Sequence, residues 1–118
     1  MGKAIDGGMV FTARDEPGNE YLPNRGVFLH GMLGKDRGDP IGVYYGRIEP
    51  GSGIAREIHP ETAETVFVLS GSAVGLCGDR EIPLAPGQMM HVERNVPHGI
   101  RNAGSGVLEI LVIGQPDF

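Results

Sequence analysis

The stretch GSGIAREIHPETAETVFVLSG, Gly51 to Gly71, decides how the rest of the chain reads. It carries Glu57, His59 and Glu64, three metal-ligand types at spacings of two and five. Side chains alternate between faces in an extended strand, so Glu57 and His59 point the same way. Pro60 interrupts regular pairing, because it has no N–H to give to a ladder. Glu64 opens the next strand, ETVFVLSG, and a turn between the two strands returns it beside the pair. Two carboxylates and an imidazole on one face suit a borderline or hard divalent cation.

Composition agrees with a fold of short strands. The chain has 118 residues, enough for one domain and one core. Glycine occurs 20 times and proline 9 times, yet 40% of the chain is hydrophobic, which argues against disorder. The net charge of −5 leaves no basic stripe, so nucleic acid is not an expected partner. Cys77 is the only cysteine, which rules out an intramolecular disulfide and a cysteine-rich zinc site and fits a reducing compartment. No apolar run approaches the roughly 20 residues that span a bilayer, so no membrane association is expected. The segment MGKAIDGGMVF lacks the apolar core of a signal peptide, and the expected location is cytoplasmic.

Outward from the central stretch, turn signals divide the chain. Met9 to Ala13 reads as an edge strand, and residues 14–24, RDEPGNEYLPN, as a loop or arm. Arg25 to Leu33 and Ile41 to Ile48 read as strands separated by the turn GKDRGDP. Val66 to Leu69 is the most hydrophobic strand and the expected centre of a sheet. SAVGLCG folds back through Gly78-Asp79 as a hairpin, QMMHV is a further strand, and Val107 to Ile113 closes the set. About nine or ten short strands result, and no window sustains a helical period. The expected class is all-β, a sandwich or barrel, with an arm or edge strand over residues 1–24 and a barrel over residues 25–118.

Two motifs resemble those of the cupins, small jelly-roll barrels of the double-stranded β-helix type. The first runs Gly51-x5-Glu57-x-His59-x4-Glu64-x6-Gly71, with Glu57 where the family usually has its first histidine. The second runs Gly87-x5-Glu93-x-Asn95-x2-His98-x3-Asn102, with Glu93 and Asn95 in place of the usual Pro and Gly. The resemblance implies a cupin barrel in a single domain. It also implies one divalent metal ion (zinc, iron, manganese or nickel) held by Glu57, His59, Glu64 and His98. With both carboxylates ionised and both imidazoles neutral, such a site neutralises a divalent charge.

The resemblance further implies a metal-dependent enzyme acting on a small polar molecule with a carboxylate, hydroxyl or carbonyl. Isomerase, lyase or cyclase chemistry is expected, with Glu57 or Glu64 moving the proton, and iron-dependent dioxygenation is the rival. Tyr45 and Arg47 share a strand face where many cupins line their pocket. They are the expected substrate-binding residues, with His30 at the cavity mouth. The other class of reading is a non-catalytic cupin that binds a sugar or organic acid or serves as a partner subunit. Cupins of this size usually pair, so a homodimer is expected, with residues 1–24 able to join a partner's sheet. Arg56 and Arg101 are the cations that could neutralise the carboxylates in place of a metal. Asn102 is expected to support the barrel by hydrogen bonds to a turn.

Overall fold

Short alternating runs of β-branched and aromatic residues, cut by glycine and proline, fold into antiparallel strands joined by tight turns. The structure, a computed structural model, describes residues 2–118. Its strands in chain order are β1 (Lys3–Ile5), β2 (Gly8–Val10), β3 (Gly18–Glu20), β4 (Val27–Leu33), β5 (Gly42–Ile48) and β6 (Gly53–Glu57). They continue as β7 (Ala63–Ser70), β8 (Ala73–Cys77), β9 (Arg80–Leu84), β10 (Met89–Val92), β11 (His98–Asn102) and β12 (Leu108–Gln115). Two single-turn 3-10 helices, Ala13–Asp15 and Lys35–Arg37, are the only helical elements among the described residues. Among the described residues, no helix is long and apolar enough to cross a membrane.

A six-stranded sheet in the order β10-β7-β12-β5-β4-β3 faces a four-stranded sheet in the order β6-β11-β8-β9. Together they form an all-β jelly-roll barrel. β7 lies between β10 and β12, so the most hydrophobic run is an interior strand, as its composition requires. The inward rows of the two sheets, with Val27, Ile48, Val66, Val68, Ile100 and Leu108 at their centre, make one apolar core.

The segment before the barrel is more ordered than a loop. β1 and β2 form their own two-stranded hairpin, so the expected strand Met9–Ala13 is shorter and pairs locally. β3 then adds to the edge of the large sheet, pairing Gly18 with His30 and Glu20 with Phe28 of its own chain.

One detail of the small sheet sets the geometry of the cavity. β6 and β11 pair as His98↔Glu57 and then Ile100↔Ile54, so Ala55 and Arg56 together face Gly99. This β-bulge turns Ile54 and Glu57 to the same side, although their spacing of three would place them on opposite faces of a regular strand. A side chain on Gly99 would collide with the Ile54 carbonyl, so the bulge needs glycine there. Gly71, which closes the first motif, has φ +98°, and a Cβ there would come within 3.0 Å of the Val107 carbonyl oxygen.

Asn102 joins the two sheets. Its side-chain amide donates to the Ile48 carbonyl at 2.9 Å and the Gly106 carbonyl at 2.8 Å, and its oxygen accepts from the Gly104 amide at 2.9 Å. All three bonds end on backbone, and Asn102 is buried. Asn102→Ala leaves these groups without partners, at a cost of about 2–4 kcal/mol. Chemical denaturation should show that loss, and a change below about 1 kcal/mol would contradict the role given to this side chain.

Candidate metal centre

The bulge places Glu57 at the end of β6 directly across from His98, the first residue of β11. His59 follows two residues later, and Glu64 begins the inward row Glu64–Val66–Val68 of β7. The corner before His98 is tied to this group, because the Asn95 amide donates to the His59 carbonyl at 3.1 Å. Asn95 has φ +67°, a left-handed conformation that asparagine tolerates better than most residues and glycine adopts freely. That explains how asparagine occupies a position where the family usually has glycine.

Each of the four side chains offers one donor atom, and the four atoms lie within 4.8 Å of one another. His59 Nε2 is 3.2 Å from Glu57 Oε1 and 3.8 Å from Glu64 Oε1, and His98 Nε2 is 3.2 Å from Glu64 Oε1. Donors bound at about 2.1 Å to a common ion stand roughly 3–4 Å apart, so these separations fit a shared cation. The donor set, two imidazole nitrogens and two carboxylate oxygens, suits zinc, iron, manganese or nickel.

The surroundings orient these donors. His98 is 2% exposed, and its Nδ1 donates to the Val96 carbonyl at 2.8 Å, which turns Nε2 into the cavity. Its hydrogen bond to Glu64 holds the imidazole above its usual pKa, against the opposing effect of burial. Tyr21 supplies a further contact: its hydroxyl lies 3.1 and 3.0 Å from the two oxygens of Glu57. Burial, and then the Glu57 carboxylate, push the Tyr21 phenol up to about 12. The rings of His59 and His98 are 5.1 Å apart, and Phe118 stands edge-on to His59 at 5.0 Å. Neither arginine considered from the sequence neutralises the carboxylates. Arg56 donates outward to the Gly78 carbonyl, and Arg101 pairs with Glu81.

The cluster lies at the polar end of a cavity of about 360 Å³ between the two sheets. Tyr45, Arg47 and His30 lie elsewhere, on the outer face of the six-stranded sheet. In β5 the inward row is Tyr44, Gly46 and Ile48, so Tyr45 and Arg47 point away from the cavity, and Tyr44 lines it instead. The expectation that these three residues face the cavity is therefore corrected. Their true setting is a polar cluster sealed by the arm. His30 Nδ1 donates to the Glu16 carbonyl at 2.7 Å, and Arg47 Nε donates to His30 Nε2 at 3.2 Å. Tyr45 and Arg14 both donate to Glu109, leaving Tyr45 only 3% exposed. His91, exposed beside Thr65 and Glu93, also lies outside the site.

Tyr21, Tyr44 and Phe118 are the cavity residues that the sequence reading missed. Tyr44 was within reach of it, since Tyr44–Gly46–Ile48 alternates with the row that contains Arg47. Tyr21 and Phe118 had no periodic signal. Tyr21 is folded back by the hydrogen bond its backbone N–H donates to the Val27 carbonyl, and Phe118 by Asp117, whose carboxylate accepts from Tyr44 Oη and the Lys35 amide.

A jelly-roll barrel with a His/Glu cluster on these two motifs defines a cupin, and comparison with known proteins bears this out. The cupin domain profile matches residues 44–114, and the chain belongs to that family. No curated protein sequence matches it significantly. Among solved structures it is similar to a predicted oxalate decarboxylase from Thermotoga maritima, at 21% identity and TM-score 0.83, covering 92% of this chain and 99% of that one. It is also similar to a putative sugar phosphate isomerase from Acidithiobacillus ferrooxidans, at 28% identity and TM-score 0.72, covering 90% and 74%. A third is the polyketide cyclase RemF from Streptomyces resistomycificus, at 18% identity and TM-score 0.76, covering 89% and 77%.

The outer-face cluster carries a pH signature separate from the metal centre. Hydrogen bonds from Tyr45 and Arg14 hold the Glu109 carboxyl below its usual value of 4.5. A depressed carboxylate contributes stability above the unfolded-state value and loses it as pH falls through the folded one. The stability gap between wild type and Glu109→Gln should therefore be full at neutral pH and shrink steadily below about pH 4.5. Thermal unfolding of both proteins across that range checks this, and a gap independent of pH would contradict it.

Proposed function

We propose that this cupin is an enzyme that uses one divalent ion to move a proton on a small oxygen-bearing molecule, in a reaction of the isomerase, lyase or cyclase type. The observation that carries the reading is the convergence of Glu57, His59, Glu64 and His98 at the end of a cavity, with no lysine or arginine among its described lining residues. Two carboxylates held this close need a compensating positive charge. Glu57, His59, Glu64 and His98 would hold the ion, whether zinc, iron, manganese or nickel. When bound, the ion supplies Lewis-acid polarisation of a carbonyl or hydroxyl oxygen.

The protein's own groups divide the remaining work. Glu57 and Glu64 are the carboxylates positioned to take and return a proton at the polar end. Tyr21 keeps its phenolic proton at neutral pH and directs it at Glu57, fixing that side chain's orientation. Val96 fixes the orientation of His98 in the same way. The aliphatic walls exclude water, which strengthens every polar interaction at that end. The names of two similar proteins, an isomerase and a cyclase, support proton-moving chemistry.

Elemental analysis of untagged protein tests the reading. About one equivalent of a transition metal per chain is expected in wild type, and much less in His98→Ala and Glu64→Gln. Chelation should lower the melting temperature of wild type and leave the two variants nearly unchanged. Iron as the bound metal would redirect the reading toward dioxygenation. No metal in wild type, even after reconstitution, would overturn it in favour of a non-catalytic binding cupin.

A further inference from the structure

We infer that the ligand of this cavity is a largely apolar, uncharged molecule that presents carbonyl or hydroxyl oxygens at one end, and not a small organic anion or a phosphate ester. The inference deepens the function proposed above and rests on it for the polar end alone; the argument from the walls is independent of any metal.

The cavity has apolar walls and a smaller polar part. Leu29, Ile54, Val66, Ile100, Ile110 and Val112 make its walls, drawn from both sheets. Two aromatic rings complete them, Tyr44 and Phe118, with centroids 5.8 Å apart. The Tyr44 hydroxyl is already engaged, donating to Asp117 at 2.5 Å, so this residue offers a ligand its ring and not its oxygen. Polar groups meet the cavity at Glu57, Glu64 and the Tyr21 hydroxyl, where Phe118 also reaches His59, and Asn19 and Glu20 complete the polar part of the lining.

Charge decides the class. A carboxylate or phosphate taken from water into such a space needs cationic or N–H donors to replace its hydration. Among the described residues, no lysine, arginine or histidine lines the walls. Arg14 and Arg47 are committed to Glu109 and His30 on the outer face. A divalent ion balanced by Glu57 and Glu64 leaves no net positive charge to attract an anion. An apolar body gains instead from leaving water along the aliphatic walls. A volume of about 360 Å³ is within the range of small-molecule pockets.

Calorimetric titration tests this with named probes. These are 1-hydroxy-2-acetonaphthone, a neutral aromatic hydroxyketone; 2-acetonaphthone, which lacks the hydroxyl; and the anions oxalate and glucose 6-phosphate. Each is titrated into zinc-reconstituted protein and into chelator-stripped protein, with metal content measured separately. The hydroxyketone should bind the zinc form at least about tenfold more tightly than either anion. In the stripped form both naphthones should still bind better than the anions. Ile54→Lys, at a half-buried wall position, should weaken naphthone binding by about tenfold or more and improve anion binding; Leu29→Lys serves the same purpose if the first variant does not fold. An anion binding as tightly as the naphthones, or no saturable naphthone binding in either form, would overturn the inference. Failure to load zinc with naphthone binding retained would overturn the metal reading and leave this one standing.

Discussion

Two carboxylates, Glu57 and Glu64, converge on the same two imidazoles inside a barrel, and no arginine or lysine is among the described residues that line the cavity. Like charges at this distance, removed from much of the solvent, repel unless something positive stands between them. In the bare protein the hydrogen bond to Glu64 favours the charged form of His98. A divalent cation would balance both carboxylates. The remaining features of the site follow from that constraint: a histidine locked by a backbone carbonyl, a phenol that keeps its proton and holds one carboxylate, and walls that keep water away.

The barrel supplies this convergence through small local departures from regular structure. A bulge opposite Gly99 re-aims Glu57, and the left-handed Asn95 turns the chain into His98 while its amide ties that corner to His59. Glu64 needs no such device, because it heads the inward row of an interior strand. Asn102 then links the two sheets beside the core, so the ligand-bearing strands are held in register from behind. The arm contributes at both faces. Tyr21 enters the cavity, while Arg14 and Glu16 seal the outer cluster around Tyr45 and His30.

Much of this was legible in the residues. Glycine and proline between short alternating runs indicated an all-β fold, and the hairpin at Gly78-Asp79 appears where its turn residues placed it. Strand parity and the turn at Pro60 grouped Glu57, His59 and Glu64, and the resemblance of the second motif to the cupins added His98, a grouping the structure shows. The face of β5 was not legible. Tyr45 and Arg47 look like pocket residues by type, and it is the alternate row, through Tyr44, that lines the cavity, so theirs faces outward. Strand parity tells which residues share a face, and the choice of face is made by tertiary packing. Tyr21 and Phe118 reach the site through chain reversals stabilised by non-local hydrogen bonds, which leave no periodic trace.

The most direct measurement is anomalous diffraction from crystals of the metal-reconstituted protein, recorded at the absorption edge of the metal found by elemental analysis. The account predicts one strong peak between β6, β7 and β11, about 2.0–2.2 Å from donor atoms of Glu57, His59, Glu64 and His98. A peak confined to surface groups such as His91 and Glu93, or no peak from protein shown to have been supplied with metal, would contradict it.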